Sequence, residues 1–365
     1  QEHLEACLGK YTDPLLHRCF GAALTGSGLV STDDHTLQSS APATTARLDF
    51  VAYSEKSCAS PQAWLTALDQ RIAKSAGADL AIARGAHERW WQQFWDRSWV
   101  HVTGNEAAAE VSQGYAVQRY LLACASRGEL PPKFNGGPFT VGRDLPPGSK
   151  NSNAEHNPDY RAWGDSYWNQ NNRLLYWPLI ATGDLDLLQP WFDMYFHALP
   201  LATDRTRIYY QHAGAHFPET MHFWGLPNLH DFGKDNTTDE IQSRWQRYHV
   251  QGSLEVIAQM LDVFDQTQEA AFARERLVPF ADAIVTFYAQ HYPRQVNGTL
   301  RFDPAQSLET YQVTAINPTP DIAGLRSGLP RLIALPAMAI TDAQRDAWRK
   351  TLAQSPIQRG HAQGK

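Results

Sequence analysis

The chain has 365 residues, of which 43% are hydrophobic and 19% charged, so it carries enough apolar side chains for more than one core. Its formal net charge is -6, and its 32 Lys and Arg residues form no basic run, which argues against a nucleic-acid partner. No stretch of about 18 uninterrupted apolar residues is present, so the sequence predicts no membrane span.

The first part of the chain, residues 1–84, is predicted to be the C-terminal part of a β-sandwich-like accessory domain. Short apolar runs such as 48–53 alternate with Gly, Ser, Thr and Pro clusters, a pattern typical of short strands joined by turns. Four cysteines are present without CxxC spacing, so no zinc site is indicated. Cys7 and Cys19 are a candidate disulfide if the protein is extracytoplasmic.

A change to helical character follows. Residues 85–106 are predicted to form a linker, with a Trp-rich helix over 87–95 and an extended segment over 98–102. From residue 107 to 365 the apolar periodicity is helical, as in Leu254, Ile257, Leu261 and Phe264. Further helices are predicted over 165–181, 184–200 and 341–353.

Long connections separate these helices, over residues 129–160, 203–238 and 293–330. Connections of this length in a compact domain are commonly functional, and these contain Trp, His and acidic residues instead of linker residues. We therefore predict a mainly α protein, an (α/α)6 toroid with the long loops at one mouth, preceded by the β-rich part. A full ring needs about twelve helices, and roughly seven are predicted after residue 105, so the ring is expected to be incomplete at the C-terminus.

Aromatic side chains beside amide and acidic side chains suggest a carbohydrate ligand. The chain has 12 Trp and 14 Tyr, many close to Asn, Gln, Asp and His. Sugars present apolar C–H faces that stack on aromatic rings and hydroxyl rims that need paired donors and acceptors. The candidate sugar-binding side chains are Trp168, Trp177, Tyr210, His212, His216, Glu219 and Trp224.

The segment 165–178 contains three Asn residues within four positions, at 169, 171 and 172. Asn is a poor helix former, and a helix cap explains one Asn but not a cluster. We interpret Asn169 and Asn171 as amides that face a cavity at a helix start, while Leu174, Leu175 and Trp177 anchor the helix.

The segment 209–225 contains His212 and His216 at i, i+4 spacing, which is compatible with a metal site. Gly214 and Pro218 disfavour a regular helix there, and no matched acidic ligand follows, so no metal is predicted. A sugar-binding loop is the preferred interpretation, with Trp224 as a stacking platform.

The segment 300–311 places Glu309 in a loop flanked by Pro304 and aromatic residues. A carboxyl group half-buried among apolar side chains has a raised pKa, which suits a general acid at neutral pH. No GxSxG, phosphate-binding glycine loop or GxGxxG motif is present, so serine hydrolases, P-loop enzymes and dinucleotide enzymes are disfavoured, and no cofactor is predicted.

Two of these segments resemble motifs of glycoside hydrolase family 95, the inverting α-L-fucosidases and α-L-galactosidases. Asn169-Gln170-Asn171 followed by Tyr176-Trp177-Pro178 is similar to that family's Asn-x-Asn…Tyr-Trp-Pro segment. Residues 304–309 resemble its Pro-Ser-x-Ser-Pro-Glu segment, with Leu308 in place of the second Pro.

The resemblance implies that Glu309 is the general acid and that Asn169 and Asn171 hold the catalytic water. It implies a general base further downstream, expected beyond Lys365. In such an inverting enzyme the acid and base lie about 6.5–9.5 Å apart with water between them. Glu219 is an alternative candidate for the acid.

The predicted function is inverting, exo-type hydrolysis of a terminal fucose- or galactose-like sugar by a secreted or periplasmic protein whose signal peptide is not part of this chain. The substrate is an oligo- or polysaccharide. Two alternatives stay open. One is a polysaccharide lyase on the same toroid, in which Tyr210 and His216 remove a proton next to a uronate. The other is a glycan-binding protein without catalytic activity.

Overall fold

A computed structural model describes residues 3–33, 36–135, 164, 166–227, 247–307, 309 and 314–357. Most of the predicted loop 129–160, part of the loop 203–238 and residues 358–365 lie outside the described residues. The chain forms two compact units, one of Tyr11–Asp96 and one of Gln1–Lys10 with Arg97–Lys365. In the described residues, no helix has both the length and the apolar character required to cross a lipid bilayer.

The N-terminal unit is built from two pairs of antiparallel strands and two helices. Strand β1 (Cys19–Thr25) pairs with β4 (Asp49–Glu55), and β2 (Leu29–Asp33) pairs with β3 (Thr36–Ser39). The helices are α1 (Pro61–Ala76) and α2 (Leu80–Arg97). The predicted strand over 48–53 corresponds to β4, and the helix predicted over 87–95 lies inside α2.

Helix α1 was not anticipated in a region predicted to be β-rich. Its start carries two ordinary signals: the Ser60 side chain accepts a hydrogen bond from the backbone N–H of Ala63, and Pro61 occupies the first turn. The helix packs on β1, where a Cβ added to Gly21 would lie 2.7 Å from the Trp64 ring. Helix α1 therefore packs on the face of β1 that carries Gly21.

The second unit is helical. Its principal helices are α3 (Glu106–Ala125), α4 (Asn169–Thr182), α5 (Leu185–Arg205), α6 (Gly252–Thr267), α7 (Val278–His291), α8 (Thr319–Ile333) and α9 (Asp342–Gln354). Helix α6 packs against α4, α5, α7 and α8, and α9 packs against α7 and α8. The helices predicted over 165–181, 184–200 and 341–353 correspond to α4, α5 and α9.

Buried aromatic and polar contacts hold these helices together. The Tyr176 ring of α4 stacks on Trp191 of α5 with centroids 4.5 Å apart, and the Trp191 Nε1 donates to Gln259 of α6 over 2.9 Å. Arg119 of α3 forms a buried ion pair with Asp184 at the α4–α5 corner, with both nitrogen–oxygen distances at 2.9 Å. A bidentate arginine–carboxylate pair of this kind fixes geometry as well as adding energy.

Three sequence-based predictions about structure are wrong. The loop predicted over 293–330 includes most of the described helix α8, in which Gly324, Gly328 and Pro330 obscure the apolar spacing. Leu174 does not anchor α4, because it is 62% exposed, and the anchoring side chains are Tyr176, Leu179 and Ile180. All four cysteines are free in the structure, so the candidate Cys7–Cys19 disulfide is not formed in it. Cys7 belongs to the helical unit and Cys19 to the N-terminal unit.

Candidate active site

A pair of two-residue strands connects the Asn-rich segment 165–178 with the segment 209–225. Strand β5 (Tyr167–Trp168) pairs antiparallel with β6 (Thr220–Met221), so that Trp168 lies opposite Thr220. Helix α4 begins immediately after β5, at Asn169. The pairing therefore brings the start of the Asn-rich helix next to Glu219, the residue that precedes β6.

Glu219 caps the start of α4. Its backbone carbonyl accepts from the Asn169 N–H over 2.9 Å, and its Oε1 accepts from the Gln170 N–H over 2.7 Å. The first N–H groups of a helix have no partner within the helix and carry partial positive charge, so a carboxylate stabilises them. Glu219 is only 2% exposed. This carboxylate is thus part of the scaffold of the helix start.

The second carboxylate oxygen of Glu219 faces His249. His249 Nδ1 lies 3.1 Å from Glu219 Oε2, and His249 Nε2 contacts the Gln251 amide at 2.8 Å. Burial opposes the charged form of His249, but the Glu219 charge and hydrogen bond outweigh it and raise the pKa of the imidazole above its ordinary value. Glu219 and His249 therefore form a buried ion pair beneath the start of α4.

The three Asn residues of α4 have different surroundings. Asn169 is 3% exposed and donates from Nδ2 to the Tyr195 hydroxyl over 2.9 Å. Asn172 is fully buried, and its side-chain amide donates to the Pro132 carbonyl over 3.0 Å. Asn171 is half-buried. Burial thus accounts for two members of the cluster.

Glu309 meets α4 through a residue that the sequence did not single out. The Gln170 Nε2 donates to Glu309 Oε2 over 2.6 Å, across 139 positions of the chain. Glu309 is exposed, not half-buried among apolar side chains as predicted. Segments 165–178 and 300–311 therefore meet, and the contact is made by Gln170, which lies between Asn169 and Asn171.

Backbone hydrogen bonds support the loop that carries Glu309. Ala305 and Ala315 exchange both backbone hydrogen bonds, at 3.1 and 2.7 Å, which closes the base of the loop. The N–H of Gln306 donates to the Tyr248 carbonyl over 3.1 Å, next to His249. The backbone at Tyr248 therefore holds the loop that carries Glu309, and the next residue, His249, forms the pair with Glu219.

The histidines of the second segment are engaged with the protein. His212 Nε2 contacts His291 Nδ1 at 3.0 Å, and its Nδ1 lies 2.8 Å from the Ala213 carbonyl, to which it donates. His216 is 1% exposed, and burial lowers the pKa of its ring well below the ordinary value. Burial likewise lowers the pKa of His291 to about 4. The His216 and His291 rings are therefore neutral at pH 7, and His216 packs with Tyr210 and Phe287.

The aromatic candidates have partly open faces. Trp168, Trp177, Tyr210 and Trp224 are all half-buried. Trp224 stacks on His222 with ring centroids 4.4 Å apart and planes inclined by 16°. Among the residues that the structure describes, no group of three or more His, Cys, Asp or Glu is placed to bind a metal ion.

Comparisons with known proteins bear on the fold. Residues 1–100 match a family described as a domain of unknown function (DUF5703). The chain resembles a solved structure of a protein assigned as a kojibiose phosphorylase, from the human microbiome, with 11% sequence identity and a TM-score of 0.66. The similarity covers 93% of this chain and 44% of that one, so the chain spans less than half of its neighbour's length. No curated protein sequence matches the chain.

The structural similarity confirms the predicted fold class. The chain is mostly helical with a few small sheets, and the neighbour has the α/α-toroid fold. The narrower resemblance to glycoside hydrolase family 95 is not confirmed.

Proposed function

We propose that this chain belongs to a carbohydrate-active enzyme that removes a terminal sugar from an oligo- or polysaccharide by inverting hydrolysis, with Glu309 as the general acid. The contact between Gln170 and Glu309 carries the proposal, because it joins the two segments that resemble one family's catalytic motifs. The proposed substrate is a fucose- or galactose-like sugar. Such glycans lie outside the cytoplasm, which favours a secreted or periplasmic protein.

In the proposed reaction, Glu309 gives its proton to the glycosidic oxygen as the bond to the anomeric carbon breaks. A water attacks that carbon from the opposite face and loses its proton to a general base. The Gln170 amide donates to Glu309 Oε2, which leaves Oε1 to carry the acidic proton toward the substrate. Gln170 is therefore a positioning residue for the acid, and the half-buried Asn171 is the amide proposed to contact the water.

The burial of Glu219 favours Glu309 as the acid. Glu219 is 2% exposed, and its two oxygens already contact the Gln170 N–H and His249. A general acid must reach the leaving oxygen directly or through one water. Glu309 is exposed and meets that condition.

The lyase alternative is disfavoured by His216. A lyase base must contact the proton next to the uronate, but His216 is 1% exposed and packed against Tyr210 and Phe287. A phosphorylase is a second candidate, because the structural neighbour is assigned as one. In an inverting phosphorylase, inorganic phosphate replaces water as the nucleophile while the acid keeps its role.

The test is Glu309→Gln in the full-length protein, with Glu275→Gln as the matched control at an exposed surface pair. Loss of a general acid should lower kcat/KM on natural glycans by about 10²–10⁴-fold. Aryl glycosides with good leaving groups need little protonation and should lose far less. NMR of the first-formed anomer reports inversion, and dependence on added phosphate separates phosphorylase from hydrolase.

Several results would contradict the proposal. Equal activity of Glu309→Gln and Glu275→Gln would exclude Glu309 as the acid. An unsaturated product with ultraviolet absorbance would identify a lyase. Glycan binding without turnover in the wild-type protein would identify a binding protein.

A further inference from the structure

Few of the described residues in the N-terminal unit are buried. Among its described residues, Cys58, Leu68 and Phe94 are the buried ones, while Phe20 and Phe50 are 80% and 71% exposed. Its described strands form two-stranded pairs, and isolated pairs of this size are marginally stable in water. A covalent cross-link between such segments adds stability beyond that of their packing.

Two cysteines of this unit lie side by side. Successive residues of a strand point to opposite faces, so Cys19 shares a face of β1 with Gly21, the residue that contacts Trp64 of α1. Cys58 lies two residues before Ser60, the N-cap of the same helix.

The backbone holds the two cysteines in place. Cys19 pairs with Glu55 in the β1–β4 register, and the Cys58 N–H donates to the His17 carbonyl over 2.8 Å. Both thiols are free in the structure, and the Cys58 thiol donates to the Ser60 carbonyl over 2.9 Å. The neighbouring Cys58 side chain raises the pKa of the Cys19 thiol. Cys58 is 6% exposed, and Cys19 is half-buried at a hollow that Phe20 and Trp64 also line.

We propose that Cys19 and Cys58 form a disulfide when the protein folds in an oxidising compartment. The two thiols lose their protons and two electrons to a disulfide of a thiol oxidoreductase or of oxidised glutathione, which leaves as two thiols. The new bond joins the first residue of β1 to the segment that leads into α1, and closes a loop of about 40 residues around the β2–β3 hairpin and β4. The inference does not depend on the proposed function.

The test uses the full chain exported to a bacterial periplasm, digested without reduction and analysed by mass spectrometry. We expect a cross-linked peptide pair containing Cys19 and Cys58, and two titratable thiols after denaturation, from Cys7 and Cys124. Reduction should raise the count to four. Four titratable thiols after equilibration with oxidised glutathione, or a different cysteine pair, would overturn the proposal.

Variants give an independent measurement. Cys19→Ser and Cys58→Ser should each lower the midpoint of thermal unfolding of the N-terminal unit by the same amount, on the order of 10 °C, and the double variant by no more. The matched control is Cys124→Ser, a half-buried cysteine of α3. The difference between wild type and variants should vanish in reducing buffer. A loss that persists in reducing buffer would mean that packing alone is responsible.

Discussion

At the scale of single residues, the candidate site depends on which side chains the start of α4 directs outward. Asn169 and Asn172 are three positions apart and therefore share a helix face, and both are buried. Gln170 lies beside that face and reaches Glu309. The residue at which α4 begins therefore determines which side chain points toward Glu309. Glu219 fixes that start, because it accepts hydrogen bonds from the first two N–H groups of the helix.

The role of Glu219 leads to a prediction. Glu219→Ala would remove the partner that stabilises the buried His249 and leave the Gln170 N–H without an acceptor, so the free energy of unfolding should fall by about 3 kcal/mol. Urea denaturation measures this loss. Glu275→Ala, at an exposed pair, should change it by less than about 1 kcal/mol.

The same variant distinguishes a capping residue from a general acid. If Glu219 is a cap, Glu219→Ala should lower activity on natural glycans and on activated aryl glycosides to the same extent. If activated substrates kept most of their activity, Glu219 would be the acid and the assignment of Glu309 would be wrong.

Part of this site could be predicted from the sequence. The clustering of Asn near 170 and the acid at 309 identified two segments that the fold brings together. Gln170 was missed because the sequence does not show at which residue α4 begins, and a shift of one position turns each side chain by about 100°. The burial of Asn169 depends on Tyr195, which lies in another helix and has no local signal.

At the scale of elements, a close backbone contact fixes the segment 209–225 against helix α7. Gly214 has φ +103°, and a Cβ added there would lie 2.4 Å from the backbone N of Phe287 in α7. Gly214→Ala should therefore destabilise the helical unit by several kcal/mol, because both the backbone conformation and the contact become unfavourable.

Gly298 provides the control for that substitution. It also has a positive φ, +82°, but a Cβ added there meets nothing within 4 Å. Gly298→Ala should cost only about 1 kcal/mol, the conformational part alone. Similar losses in the two variants, measured by thermal unfolding, would show that the Phe287 contact is unimportant.

Helices were predicted best where one apolar stripe runs unbroken. Leu254, Ile257, Leu261 and Phe264 mark α6, and all four are buried. Helix α8 has the comparable stripe Ile322, Leu325, Leu329 and Leu332, which is also buried. Two glycines and a proline in this helix are more typical of a loop. Packing compensates for their low helix propensity. At Gly324, for example, the absence of a side chain leaves room for Leu254.

At the scale of the whole molecule, two buried titratable groups make stability depend on pH. Asp321 is 1% exposed, and burial raises the pKa of its carboxyl to about 6, although the Tyr288 hydroxyl donates to it over 2.6 Å. Between about pH 4 and pH 6 the unfolded chain loses this proton and the folded chain keeps it, so stability falls as pH rises. The fall is on the order of 3 kcal/mol.

His249 acts in the same direction at higher pH. Its pKa is raised in the folded state, so its contribution is fully present below the ordinary histidine pKa and is lost as pH rises through the raised value. Burial lowers the pKa of His216 and His291, and these groups act in the opposite direction, so the Asp321 contribution is measured as a difference between variants. The stability of wild type minus that of Asp321→Asn, from urea denaturation, should fall by about 3 kcal/mol between pH 4 and pH 6, whereas the difference for the exposed Asp346→Asn should stay nearly constant. A pH-independent difference for Asp321→Asn would contradict this role of Asp321.

The most direct test of the central claim is a double-mutant cycle on the Gln170–Glu309 contact, measured as kcat on a natural glycan in the full-length protein. If Gln170 acts by positioning the acid, Gln170→Ala should lower kcat by about 10- to 100-fold. The double variant should then be no slower than Glu309→Gln alone. Gln189→Ala, an exposed helical glutamine, serves as the control. If the effects of the two substitutions multiplied instead, the two side chains would act independently and the proposed site would be contradicted.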